Sequence, residues 1–248
     1  METVPKSDNG RQAFLMFGPA PGKGGSFMIP RTGRTTTNAK AAVDHICYTI
    51  PDWDETKVRG ALAAKGLTPT GRDGTLHVYD PFDFDVQIEA GAPASSGGTA
   101  DSVNPALKVA LDNHISYTIP DFRRTADWYS KIFNLEQVGA SASEVTLPFG
   151  KPGEQPLGVT AKDVPLPRLI IRARDPVQRG EAPRRTSKAR VDHIAYTIAG
   201  FDKERVRAEL KRLGYPNPLQ DGEHSFHIVD PNGLDVQISG IEMTALTG

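Results

Sequence analysis

The sequence has a single cysteine, Cys47, among its 248 residues. That excludes an intrachain disulfide and a zinc site built from cysteines. It also lacks an excess of charge of either sign. Lys and Arg total 29 against 30 Asp and Glu, a net charge of -1. A strongly basic surface for nucleic acid and an acidic disordered tail are both excluded. No apolar run approaches the roughly 18 residues that a membrane span requires. The opening residues, METVPKSDNGRQAF, contain no apolar stretch of signal-peptide type. The expectation is a cytoplasmic protein with neither nucleic acid nor membrane among its partners. Hydrophobic residues make up 38%, and Gly 24 and Pro 20 are numerous, so many loops around a modest core are expected.

What the sequence does contain is an internal repeat, and repeats are the first thing to seek. VDHICYTIPDWD from Val43, LDNHISYTIPDF from Leu111 and VDHIAYTIAGFD from Val191 read almost alike. Two copies continue alike, LHVYDPFDFDVQIEAG from Leu76 and FHIVDPNGLDVQISG from Phe226. Between the copies, Gly91–Pro105 is small, polar and rich in Gly and Pro, which reads as a linker. The expected division is an N-terminal pair of modules at 1–91, a linker at 92–110 and a complete pair at 111–248.

Each module reads as strand, helix and three strands. The DHIxYTI segment alternates and is rich in β-formers, so it is a strand. An Asp follows as a helix N-cap. DETKVRGALAAKG and DKERVRAELKRLG then read as helices ending at Gly66 and Gly214, which suit a left-handed C-cap. RTADWYSKIFNL has apolar residues at helical spacing. FDVQIEA and LDVQISG close their modules. Residues Arg11 to Thr32 match only the strands that end a module, so the first module lacks its first strand and helix. The fold class is α+β, with tandem βαβββ modules.

Alternation gives each strand two faces. Ile46, Tyr48 and Ile50, with their counterparts from Ile115 and Ile194, form an apolar face for the helix. The other face carries one histidine (His45, His114 or His193) followed by small residues, which leaves room for a ligand. The closing strands put Asp85, Gln87 and Glu89, or Asp235, Gln237 and Ser239, on their polar faces. A polar inner face points to a sheet curved round a wet cavity, with helices outside.

The DHI strand, the DPNG turn and the closing VQI strand resemble the vicinal oxygen chelate superfamily, over about Arg11 to Gly240. That superfamily includes glyoxalase I, extradiol dioxygenases and bleomycin-resistance proteins. The resemblance implies a cup-shaped sheet with a divalent metal, Fe(II), Mn(II) or Zn(II), held by first-strand and last-strand residues. Carried over, these are His114, His193 and Gln237, with Gln where the family usually has Glu. A neutral oxygen donor attracts a dication less than a carboxylate does. In the third module the matching last-strand position falls near Arg172 and Arg174, so a fourth protein ligand is absent. In the N-terminal half His45, Gln87 and Glu89 are weaker candidates, and a second chain forming a homodimer would complete that half.

Other residues carry alternative readings. His77 and His227 are a matched pair with either a structural or a proton-transfer role, and His224 is either exposed or a base at the cup rim. Cys47 and the Trp128–Tyr129 pair read as packing. PRRTSKAR at 183–190 reads as a solvated loop, and GPAPGKGG at 18–25 lacks the Lys-Ser/Thr of a phosphate loop. The functional expectation is a metal-dependent enzyme, extradiol-dioxygenase-like or glyoxalase-like, acting on a small molecule that chelates through adjacent oxygens. The alternatives are a metal-free small-molecule binding protein and a structural remnant.

Overall fold

The structure is a computed structural model that describes residues 2–4, 14–17, 26–28, 42–50, 52–72, 74–90, 109–149, 168–173, 190–198, 200–220 and 222–240. Most of the expected linker, the 18–25 glycine-rich stretch and 183–189 lie outside these residues. Three short strands, β1 (Glu2–Val4), β2 (Phe14–Phe17) and β3 (Ser26–Met28), form an antiparallel sheet of order β1-β2-β3. The first of them falls in the opening residues, where no module element was expected.

The second module follows as β4 (His45–Ile50), α1 (Glu55–Ala64), β5 (Thr70–Arg72), β6 (Thr75–Tyr79) and β7 (Asp85–Ala90), in a sheet of order β4-β7-β6-β5. The third runs β8 (Val109–Ile119), α2 (Phe122–Phe133), β9 (Glu144–Pro148) and β10 (Arg168–Ala173). Its remaining strand is reduced to a bridge between Val138 and Thr146. The fourth runs β11 (Arg190–Ile198), α3 (Lys203–Arg212), β12 (Leu219–Gln220), β13 (Ser225–Val229) and β14 (Asp235–Ser239). The last two modules share one seven-stranded sheet of order β12-β13-β14-β11-β8-β10-β9. This is the expected α+β architecture of βαβββ modules. β8 begins at Val109, two residues inside the segment expected to be linker.

Each helix starts where its sequence supplies an acceptor. Asp54, Asp121 and Asp202 are the N-caps and accept from the backbone N–H of Lys57, Arg124 and Arg205. Such caps contribute about 1 kcal/mol each. Gly66 and Gly214 take positive φ after α1 and α3, as expected. α2 ends differently, because Asn134 takes the left-handed cap with φ 55°.

The apolar faces build the core as the alternation requires. Ile46, Leu76, Val86 and Ile88 of the second module join Tyr117, Ile119, Tyr129, Leu147, Leu169 and Ile171 of the third in one buried cluster. α3 closes a smaller cluster of Ile198, Val206, Leu210, Phe226 and Ile238. No helix among the described residues is long and apolar enough to cross a membrane.

One polar bond crosses the larger cluster. The buried Tyr117 hydroxyl donates to Asp80 Oδ2 at 2.6 Å. Asp80 Oδ1 accepts from the N–H groups of Phe82 and Phe84, which shapes the turn before β7. Burial pushes the Asp80 carboxyl up, and these donors oppose that shift. Tyr117→Phe keeps the ring but leaves a buried carboxylate oxygen short of a donor. A loss of about 1–3 kcal/mol is expected, read as a lower urea midpoint with an unchanged slope.

Candidate metal centre

The central pair of the large sheet is β8 against β11, antiparallel, and it brings two histidines together. His114 and His193 are both buried on the same face. Their Nε2 atoms lie 3.2 Å apart, with the rings edge to face.

Register irregularities flank the regular stretch that carries both histidines. The pairing skips Asp192 on β11 and Asn113 on β8. A bulge re-aims the side chains beside it. Beside each bulge the residue before the histidine bonds its ring. Asn113 Oδ1 lies 2.8 Å from His114 Nδ1, and Asp192 Oδ2 lies 2.8 Å from His193 Nδ1. Asp44 repeats the contact with His45 at 3.1 Å. The Asn113 amide is oriented independently, since its Nδ2 donates to Thr197 Oγ1 and its oxygen accepts from Arg168 Nη2.

An oxygen at Nδ1 takes the N–H on that side and leaves a lone pair on Nε2. Two lone pairs then converge at 3.2 Å. A proton or a divalent cation between them relieves the repulsion. Burial and the charges of His193, Arg168, Arg172 and His227 hold His114 well below the ordinary imidazole range, so protonation is disfavoured. Nitrogens bound at about 2.0–2.1 Å to one ion are separated by roughly 3.0–3.4 Å, so the pair fits a shared metal.

Gln237 is the third residue expected as a donor. It is buried on β14, opposite Ala195 of β11 and His227 of β13. Its Nε2 donates to Ser225 Oγ at 3.1 Å. Its Oε1 is buried and has no hydrogen-bond partner among the described residues. An unmet buried acceptor is costly, and a cation would satisfy it. Two imidazoles and a carbonyl oxygen suit Fe(II), Mn(II) or Zn(II).

His227 stands beside this set. Its ring meets that of His193 edge to face at 4.9 Å, and its Nδ1 lies 2.7 Å from Asp235 Oδ1. The ligand atoms of His193, His227 and Asp235 lie within 4.8 Å of one another, so they form a second overlapping donor set. His224 lies just before β13 and is exposed, with its carbonyl accepting from Gly240 N–H.

The N-terminal half repeats part of this arrangement. His77 Nδ1 bonds Asp85 at 2.8 Å, and His45 meets His77 edge to face at 5.9 Å. The site is more open: His77 and Asp85 side chains are 28% and 25% exposed, against 4% and 16% for His227 and Asp235. Gln87 Nε2 donates to Glu89 at 3.0 Å, tying those two candidates to each other. β4 is an edge strand of its sheet, so among the described residues His45 has no facing first-strand histidine. Burial, then Glu89, pushes the Cys47 thiol up, which keeps it protonated and unreactive.

In the third module the register corrects the sequence alignment. Gln237 faces Ala195, two residues after His193, and the same step from His114 reaches Ser116, which faces Ile170. Within the expected segment RLIIRARD, the equivalent of Gln237 is therefore the apolar Ile170, two residues before Arg172. Arg174 lies outside the described residues.

Sequence reasoning gave no role to Asp192, Asn113 or Asp235. Signals for them exist. An Asx precedes the histidine in all three DHI segments, and His77/Asp85 and His227/Asp235 share one spacing.

No protein-family model and no curated protein match the sequence. Solved structures do match. BphC, a halotolerant catechol dioxygenase, aligns with TM-score 0.60 and 14% identity over 96% of this chain and 78% of that one. A Mn(II)-bound glyoxalase from Novosphingobium aromaticivorans aligns with TM-score 0.63 and 12% identity, over 96% and 73%. An extradiol ring-cleaving dioxygenase from B. fuscum aligns with TM-score 0.58 and 13% identity; this chain spans 63% of its length. The chain has the vicinal oxygen chelate fold. Within the vicinal oxygen chelate fold, the polar faces of β8, β11, β13 and β14 line one wall of the cup with His114, His193, His227 and Gln237.

The held-neutral His114 makes stability depend on pH. Its folded value is lowered, whereas a free imidazole titrates near 6.5. Below that pH the unfolded chain binds a proton that the folded chain does not, so stability is lost on acidification. In metal-free protein the urea midpoint is expected to fall between about pH 7.5 and 5.5. The fall should be shallower in His114→Leu. An equally steep fall in that variant would contradict the assignment.

Proposed function

We propose that the protein is a metal-dependent enzyme whose substrate is a small molecule that chelates through two adjacent oxygens. His114, His193 and Gln237 hold the ion. The observation that carries this reading is the convergence of two buried Nε2 atoms at 3.2 Å, with a buried carbonyl oxygen that has no partner among the described residues on the neighbouring strand. A bound divalent ion supplies Lewis acidity or oxygen activation. Asn113 and Asp192 fix the ring orientations, and burial excludes water from the donors. His227, oriented by Asp235, takes or gives a proton at its Nε2. The specific reaction we infer is extradiol cleavage of a catechol-type ring by dioxygen. A glyoxalase-like isomerisation is the other chemistry of the same site. Residues 111–248 carry the donors, and the second module braces them through the shared core.

One observation favours a second reading, a metal-free small-molecule binding protein. The His114, His193 and Gln237 set contains no carboxylate. Titration with Fe(II), Mn(II) and Zn(II), read by calorimetry and metal analysis, separates the two. The enzyme reading expects a single ion per chain, lost in His114→Ala and in His193→Ala. Normal uptake in both variants sinks the site. Gln237→Glu adds a charge worth roughly 4 kcal/mol at 4 Å and an effective dielectric of 20, before desolvation is subtracted. At least about tenfold tighter binding is expected, or about 1.4 kcal/mol. His227→Gln should retain the ion while turnover falls by about 10²–10⁴. Loss of the ion in that variant would instead assign the set of His193, His227 and Asp235.

A further inference from the structure

The three first strands of the modules share one kind of neighbour and differ in the other. β4, β8 and β11 each run parallel to the last strand of their own module, β7, β10 and β14. β8 and β11 use their second edges to pair with each other. The second edge of β4 is unpaired among the described residues. Burial follows this difference. His193, Ala195 and Thr197 are 2%, 0% and 2% exposed. On β4 the matching His45 and Cys47 are half-buried, and Thr49 is exposed.

This edge has none of the features that keep sheet edges apart. Exposed edges are ordinarily short, charged or marked by proline. β1, β3, β5 and β12 have three residues or fewer, and β9 begins at Glu144 and ends at Pro148. β4 has six residues, HICYTI, with no acidic residue, Lys, Arg or Pro. Its free N–H and C=O groups are a template for another strand.

The β8–β11 pair shows which strand fits. Its register sets His193 against Ser116, Ile194 against Ile115 and Ala195 against His114. Ile115 and Ile194 hold the same place in the repeat, and so does Ile46. The pairing is centred on two equivalent isoleucines, so one strand used twice can reproduce it. In all three strands the residue two after the histidine is small (Cys47, Ser116 or Ala195), which leaves room for the imidazole opposite.

We propose that β4 is the interface of a homodimer, in which it pairs antiparallel with the same strand of a second copy about a two-fold axis at Ile46. Ile46 faces the partner's Ile46, and His45 faces the partner's Cys47. An interface of this kind is self-complementary. The partner's His45 supplies the facing histidine that the N-terminal half lacks. It closes the polar face of His45, His77 and Asp85 as β8 and β11 close theirs. The interface does not depend on an ion at His114 and His193.

Sedimentation of the full chain over a dilution series tests this, and a monomer–dimer equilibrium is expected. Thr49→Lys places a charge where the single chain is open and the dimer is closed. It should weaken self-association at least about tenfold while the dilute monomer melts as before. The register is read with His45→Cys. The new thiol faces the partner's Cys47, within the roughly 4.4–6.8 Å between Cα atoms that a disulfide spans. Mild oxidation should give a covalent dimer, and His45→Cys combined with Cys47→Ser should not. The native chain should stay uncross-linked, because its two Cys47 residues lie on a diagonal, about 7–8 Å apart. A monomer at every concentration, or a dimer indifferent to Thr49→Lys, overturns the interface. Cross-linking of the native chain, or a folded His45→Cys dimer that does not cross-link, overturns the register. If His45→Cys does not fold, the dilution series and Thr49→Lys still decide.

Discussion

The antiparallel pairing of β8 with β11 is the constraint on which the rest of the site depends. Each strand is the first of its module, and each carries one histidine on its polar face. Only when the two strands are neighbours do the imidazoles meet. The same pairing turns the isoleucines and tyrosines of both strands toward the helices and the core. Chemistry and stability are thus fixed by a single register, and a slip by one residue would invert both faces. The N-terminal half shows the converse. β4 carries a histidine at the same place but lies at a sheet edge, and its polar cluster stays open to solvent.

Much of this was legible in the sequence, because repetition replaces comparison with relatives. Three copies of one strand fixed its two faces, its histidine and the Asp that caps the next helix. The polar faces of the last strands, with Gln237 on one of them, also followed from alternation. Alternation failed where strands cease to be regular. It could place the third-module equivalent of Gln237 only within RLIIRARD, near Arg172, whereas pairing with β8 singles out Ile170. Spacing along one strand cannot reveal the register against its neighbour, and β10 has no repeated motif to align by. Nor could it show that His193, His227 and Asp235 form a cluster, since that depends on three strands meeting side by side.

The electrostatics of the cup follow from what surrounds the histidines. Their Nδ1 partners are an amide and a carboxylate, and their inner neighbours are cations and a neutral amide. Burial and like charge keep His114 unprotonated, so it remains a donor of electrons. The Arg172 guanidinium is paired with Glu144, and the carboxylates of Asp192 and Asp235 stand behind the rings of His193 and His227.

Asn113 has a consequence of a different kind. The second DHI segment reads LDNHI where the others read VDHI, one residue longer. One of the positions skipped on β8 is this added residue. The aim of His114 is therefore written in chain length as well as in side-chain identity. Replacing Asn113 alters an amide but keeps the bulge, whereas removing it would bring Asp112 next to the histidine, as Asp44 and Asp192 stand in the other two segments. Changes of length within a strand are commonly regarded as damage, and here one is part of the architecture of the centre.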